Sequence, residues 1–201
     1  MAATPVRSLA DLDPSATYTY ADYLTWQFTE WVELLKGKVA RMSAPQDLHQ
    51  AVSGNLFGLI HPYLRRQVCQ VRAAPYDVRL TTKGPNAADT AITTVVQPDL
   101  CVICDPTKID KRGCHGAPDW VIEILSPGTA SRDMRDKYDL YEENGVGEYW
   151  IVAPGEQNIS IFVRDATTGR YRTVGDYAAP GLVPSHTLPD LLIEWADVFE
   201  E

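Results

Sequence analysis

No apolar run in this chain approaches the roughly 20 residues that a bilayer-spanning helix needs, which excludes a helical membrane protein as the reading. The opening stretch, Met1–Leu12, also lacks the apolar core of a secretory leader, so the expected location is the cytoplasm. Cysteine is sparse, with four residues in 201, and without a leader these are expected to be free thiols. Cys101 and Cys104 lie three apart on an extended segment and should face opposite ways, with no glycine knuckle between them. Together with Cys114 and His115 they therefore read as core thiols rather than a zinc set. Positive charge is short as well: 18 Lys and Arg stand against 27 Asp and Glu, a net charge of −9. That balance argues against a protein that coats nucleic acid non-specifically, because phosphate affinity comes largely from Lys and Arg. The basic residues that exist gather in three groups, Arg65/Arg66/Arg72, Lys108/Lys111/Arg112 and Arg132/Arg135/Lys137, each read as a solvated face.

There is no internal repeat, low-complexity segment or linker, and the length suits one domain over 19–201 behind a poorly ordered arm at 1–18. A chain of this size buries about 70–75% of its unfolded surface and needs neither disulfide nor structural metal to fold. Thr19 and Asp22 form a capping pair for a short helix over Tyr20–Phe28, with Tyr23, Leu24 and Phe28 inward. Lys36-Gly37 between Val32–Leu35 and Lys38–Met42 predicts a tight hairpin. Apolar residues at Leu48, Val52, Leu56, Leu59, Ile60, Tyr63 and Leu64 have helical spacing, so the longest helix is expected from Gln46 to about Gln67. Extended segments follow at Val68–Ala73, Tyr76–Leu80 and Ile92–Cys104, the last kinked at Pro98. After these come a strand over Asp119–Leu125, a turn at Ser126-Pro127-Gly128-Thr129, a helix over 130–144 and a strand over Glu148–Val152. Asn158–Arg164 and Tyr171–Val174 read as a meander, and Leu188–Phe199 as an apolar tail closing an edge. The order predicts an α/β fold, a central mixed sheet flanked by helices.

Three acids stand in apolar strand contexts: Glu33, Asp99 and Glu123. Strand alternation puts Asp119, Val121, Glu123 and Leu125 on one face and Trp120, Ile122 and Ile124 on the other, so both faces read as buried. A single such acid is ordinarily paired with one arginine or caps a turn, whereas three together point to a site. Two unit charges about 4 Å apart repel by about 4 kcal/mol at an effective dielectric near 20. Converging carboxylates must therefore protonate, stay wet or share a cation, and all-oxygen ligation suits Mg²⁺ or Mn²⁺ better than Zn²⁺. Lys137 sits four residues after Asp133 and four before Tyr141. It pairs on the surface with Asp133, worth about 0.3–0.5 kcal/mol, or its ammonium points at the acids. The turn before that helix has the form of an anion site, and ordinary N-cap chemistry accounts for it.

Gln97-Pro98-Asp99, Val121-Ile122-Glu123-Ile124-Leu125-Ser126-Pro127, Asp133, Lys137, Tyr141 and Gly145–Trp150 resemble the Uma-two family of endonucleases, within the PD-(D/E)xK restriction-endonuclease-like superfamily. Glu33–Val39 is similar to the family's opening hairpin. Ser43-Ala44-Pro45 with His49-Gln50 is similar to its next segment, and Leu182–Ser185 with Leu188–Leu192 to its closing pattern. The resemblance runs from about Thr19 to near the end. It implies a restriction-endonuclease-like fold and Mg²⁺- or Mn²⁺-dependent cleavage of nucleic acid, DNA before RNA, by a homodimer. It also implies Asp99 and Glu123 as metal ligands, with the main-chain carbonyl of Ile124 and Glu33 as further ligands. His49 approaches the site from the long helix or is simply a polar residue near a helix start. The superfamily motif has lysine two residues after the glutamate. Here that residue is Leu125, and Lys137 on the next helix takes its place. Two other readings stay open: a binding or assembly module on the same fold without turnover, and a phosphohydrolase of free nucleotides.

Overall fold

The computed structural model describes residues 6–84, 87–126 and 130–200, with side chains in the helix that begins at Ala130 described from Arg135 onward. The last three residues of the expected turn, Pro127-Gly128-Thr129, and the side chain of Asp133 lie outside that description. In chain order the elements are α1 (Tyr20–Tyr23), β1 (Val32–Leu35), β2 (Lys38–Arg41), α2 (Asp47–Leu64), β3 (Gln70–Ala73), β4 (Val78–Leu80), β5 (Thr94–Val96) and β6 (Leu100–Ile103). They continue with β7 (Ile109–Asp110), β8 (Gly113–His115), β9 (Trp120–Ile124), α3 (Ala130–Asn144), β10 (Glu148–Ala153), β11 (Asn158–Arg164), β12 (Tyr171–Tyr177), β13 (Leu182–Pro184), β14 (Leu192–Glu194) and α4 (Trp195–Phe199).

The strands form two six-stranded mixed sheets, β2-β1-β5-β4-β8-β7 and β12-β11-β10-β9-β6-β3, with β13 and β14 as a separate ribbon. In the second sheet β9 and β10 pair parallel, as a strand–helix–strand crossover through α3 requires, and the remaining pairs are antiparallel. This is the expected α/β architecture of mixed sheet and flanking helices. The two sides of the β9–β10 sheet carry different cores. Trp120, Ile122 and Ile124 pack with Val52, Leu56 and Ile60 of α2 and with α4, and the Trp120 and Trp150 rings meet at 4.7 Å. Val121 faces the other way, toward Leu140 and Tyr141 of α3 and toward β4 and β8 of the first sheet. β9 is thus buried on both sides, as its near-continuous apolar sequence demands.

Local chemistry accounts for most boundaries. At the β1–β2 turn Lys36 has φ 50° and Gly37 φ 82°, the two positive values that a two-residue hairpin needs. The Thr19–Asp22 capping box forms, but α1 ends at Tyr23 rather than Phe28, and Leu24, expected inward, is 48% exposed. The helix stops because the Thr25 hydroxyl and amide both turn back to the Asp22 carbonyl, while Tyr23, Trp26 and Phe28 are gathered into a ring cluster. Residues from Val6 to Tyr18, within the expected arm, lie across the hairpin: Lys38 Nζ donates to the carbonyls of Ser15 and Ala16 at 2.8 and 2.6 Å. The tail does not close a sheet edge. α4 packs on α2, where Asn55 Nδ2 donates to the Val198 and Glu200 carbonyls.

The expectation of four free thiols is corrected: Cys69 and Cys104 are joined in a disulfide, while Cys101 and Cys114 are free and buried. β3 and β6 pair with Gln70 opposite Ile103, so the next pair outward sets Cys69 directly against Cys104. Cys101, three residues back, points into the opposite core as strand alternation requires.

Candidate active site

Three separate elements bring the acids to one place. Glu33 is in β1, Asp99 follows the Gln97-Pro98 step between β5 and β6, and Glu123 is the penultimate residue of β9. β6 and β9 run antiparallel with Leu100 opposite Ile122, and one further step sets Asp99 opposite Glu123. Directly opposed residues share a face with Cβ atoms about 4.5–5.5 Å apart, so two carboxylates are held as cross-strand neighbours. The ladder is completed through a side chain: Ile124 N–H donates to Asp99 Oδ2 at 2.7 Å. Glu33 is tied in the same way, its Oε1 accepting from Gln97 N–H at 2.9 Å.

Lys137 reaches these acids from α3. Its Nζ lies 2.9 Å from Glu123 Oε1 and 3.1 Å from Glu33 Oε1, with the side chain only 15% exposed. It is therefore not a solvated surface lysine. The ammonium bridges two carboxylates. Burial alone would discharge it, but Glu123 and Glu33 outweigh that effect and raise its pKa well above the ordinary lysine value. Glu123 shifts the other way from a normal carboxylate: burial pushes it up to about 7, Lys137 pulls it down, and Asp99 and Glu33 add repulsion. Tyr141, one turn beyond Lys137, donates its hydroxyl to the same Glu123 oxygen at 2.5 Å. Burial and the neighbouring Glu123 keep that phenol protonated.

His49 stands in the first turn of α2, buried, with Nε2 3.2 Å from Asp99 Oδ2. Burial works against its protonation, yet the hydrogen bond to Asp99 and the charges of Asp99 and Glu123 raise its pKa above the ordinary histidine value. A cleft of about 190 Å³ opens over the group; Glu33, Asp99, Glu123, Ile124 and Lys137 all line it, and so does Gln97. A second recess of about 210 Å³ lies beyond His49, sharing Leu125 and Ser126 with the first.

Four of the five side chains singled out in the sequence, Glu33, Asp99, Glu123 and Lys137, thus line one cleft, and His49 touches Asp99 from the neighbouring recess. Two supports had been given no role. Tyr141, already marked by its place four residues after Lys137 on the same helical face, is one of them. The second support is a polar relay behind Glu33. Gln97 Nε2 donates to Asp77 Oδ1 at 2.8 Å and to Tyr23 Oη at 3.3 Å, which fixes the residue whose amide holds Glu33. Nothing local marks Asp77 or Tyr23, because both come from distant segments.

The donors available to a ligand are oxygens. Among the described residues no hydrogen bond reaches Asp99 Oδ1 or Glu123 Oε2, although the partner oxygen of each is engaged. That chemistry fits a hard divalent cation. Among the described residues no three His, Cys, Asp or Glu side chains close into a ready cage, and the charge between Glu33 and Glu123 is that of Lys137. Cys101 and Cys114 belong to the apolar core beside the acids, on the same side of the β9 sheet, and burial raises both thiols.

A crystal structure of a putative nuclease of the DUF820 family from Anabaena variabilis superimposes with a TM-score of 0.71, covering 90% of this chain and 97% of the other at 20% identity. At that identity the match speaks for the fold. An uncharacterised protein of Synechocystis sp. is 24% identical over 144 residues, 70% of this chain and 71% of its relative. The sequence model of the Uma2 family, described as a putative restriction endonuclease, matches residues 20–196. The chain belongs to the Uma2 family of putative restriction endonucleases.

Proposed function

We propose that this protein hydrolyses phosphodiester bonds in nucleic acid, DNA in preference to RNA, with Mg²⁺ or Mn²⁺ held at the cleft. The observation that carries the reading is the opposition of Asp99 and Glu123 on one sheet face, each with one oxygen free of hydrogen bonds among the described residues. Asp99, Glu123 and the main-chain carbonyl of Ile124 would hold the cation, with Glu33 behind them. A cation of this class polarises a phosphoryl oxygen and lowers the pKa of water. The rest falls to the chain itself. Lys137, kept charged by two carboxylates, orients water or offsets negative charge gathering on phosphorus. Tyr141 fixes Glu123, and His49 holds Asp99 from the side of α2. The superfamily position two after the glutamate is Leu125, so the ammonium comes from α3 instead. Cutting both antiparallel strands calls for two sites, which fits a two-fold homodimer. Among the described residues no helix is long and apolar enough to cross a membrane, and the cytoplasm is the proposed location.

The test has two stages. Isothermal titration of Mn²⁺ into wild type and Glu123→Gln should show binding in the first and its loss in the second. Cleavage of DNA and RNA is then assayed with wild type and Asp99→Asn. Divalent-dependent cutting abolished by Asp99→Asn supports the nuclease. Metal binding without cutting of any polymer points to the binding module, a reading favoured by Leu125 at the motif-lysine position. Hydrolysis of free nucleotides alone would shift the substrate class.

A further inference from the structure

Glu33 is the middle of a row. Alternation along β1 puts Leu35 and Trp31 on the same face as Glu33, and both Glu33 and Leu35 line the acid cleft. Across the hairpin Glu33 is opposite Ala40, and Ala40 and Met42 also line the cleft. Met42 N–H donates to the Trp31 carbonyl at 2.9 Å, which extends the ladder by one pair and sets Trp31 opposite Met42. Trp31 therefore continues the cleft-facing row outward to the rim, where it is 62% exposed. Packing gives no reason for it. Trp120, Trp150 and Trp195 are buried, and Trp26 stacks within the Tyr18–Phe28 cluster. No ring among the described residues meets Trp31. What sets Trp31 apart from the other exposed apolar residues is its place in the cleft-facing row and its flat, polar-tipped ring, which can stack on a ligand.

We propose that Trp31 is a stacking platform for an unpaired base, so that the site takes nucleic acid with at least one nucleotide outside the duplex. The inference rests on the phosphodiesterase reading and narrows its substrate. The cleft, about 190 Å³, is smaller than the roughly 300–1,000 Å³ of typical small-molecule pockets and suits a phosphate with its sugar better than a stacked base pair. The base must then lie outside, on the rim. Within a duplex both faces of every internal base are already covered by its neighbours, so away from the duplex ends an indole can stack only on a base that has left the helix.

Binding of a labelled single-stranded oligonucleotide and of a long, blunt, two-strand duplex without a loop is measured by anisotropy with Ca²⁺ present, for wild type, Trp31→Ala and Trp31→Phe. The single strand should bind more tightly than the duplex and quench tryptophan fluorescence. Trp31→Ala should weaken the single strand roughly tenfold, Trp31→Phe should recover most of that, and duplex binding should be unmoved. Equal single-strand affinity for wild type and Trp31→Ala overturns the stacking role while leaving the phosphodiesterase reading in place. If Trp31→Ala instead turns a dimer into a monomer in sedimentation without changing strand affinity, the indole is a contact between copies and the proposal fails. Absence of binding to either nucleic acid by the wild type rejects the proposal together with the reading beneath it.

Discussion

Lys137→Met removes the ammonium between Glu33 and Glu123 while keeping most of the aliphatic stem. At 2.9 and 3.1 Å each pair carries a Coulomb term of about 5–6 kcal/mol at an effective dielectric near 20. Desolvation of buried ions offsets much of this, and stripping one partner from such a group costs about 3–5 kcal/mol. For a chain of this length that is a fall in Tm of about 10 °C. The loss should depend on pH in a defined way. Glu123 already has a folded-state pKa of about 7, raised by burial above its unfolded value of about 4.3. The folded protein thus binds the extra proton, and its stability declines as pH rises from about 4.5 to about 7. Without Lys137 the folded pKa moves higher still, so the decline continues above pH 7 at up to about 1.4 kcal/mol per pH unit. Urea unfolding of both proteins in EDTA, from about pH 6 to about pH 9, should give curves that run parallel below about pH 7 and diverge above it. A gap that stays constant over that range, or a variant as stable as wild type, would refute the buried bridge.

Two more outcomes concern the frame that holds the site. Glu148, buried in β10, accepts from Trp150 Nε1, the Ser185 hydroxyl and the His186 and Thr187 amides, and so pins the segment before β14 to the central sheet. Glu148→Ala leaves these donors without an acceptor and should cost about 3–5 kcal/mol in denaturant unfolding, while Mn²⁺ titration of the folded fraction stays as in wild type. Gly37→Ala forces a side chain onto φ 82°, with its Cβ driven against Thr17 Cγ2. It should cost about 1–3 kcal/mol in thermal unfolding, and an unchanged Tm would show that the hairpin turn relaxes freely.

How far the fold was legible depends on the range of the interaction involved. Lys36-Gly37, the Thr19–Asp22 box and the four-residue spacing of Val52, Leu56, Ile60 and Leu64 act within a few residues, and each forms the element its pattern predicts. The helix expected over Tyr20–Phe28 is shorter because a cluster of rings around Trp26 competes with helical propensity once the hairpin is present. The Cys69–Cys104 disulfide was missed because composition and leader speak to compartment, whereas pairing depends on the register of β3 against β6. Tyr23 and Asp77 in the relay behind Glu33 stand 54 residues apart in the chain and share no local signal.

By itself the sequence determined the apolar faces of the central strands and of the long helix, and which residues are out of place in them: Glu33, Asp99 and Glu123 are anomalies because a carboxylate in an apolar strand needs a partner wherever that strand goes. It also determined the helical row that carries Lys137 and Tyr141 together. Only the tertiary structure decided who the partners are. One step of register sets Asp99 against Glu123, the β9–α3–β10 crossover swings Lys137 over them, and the hairpin delivers Glu33 from the other sheet. Side-chain pattern is encoded over two to four residues and can be read locally. Register and crossover direction follow from closing long loops onto a shared core, a property that no short stretch of sequence contains.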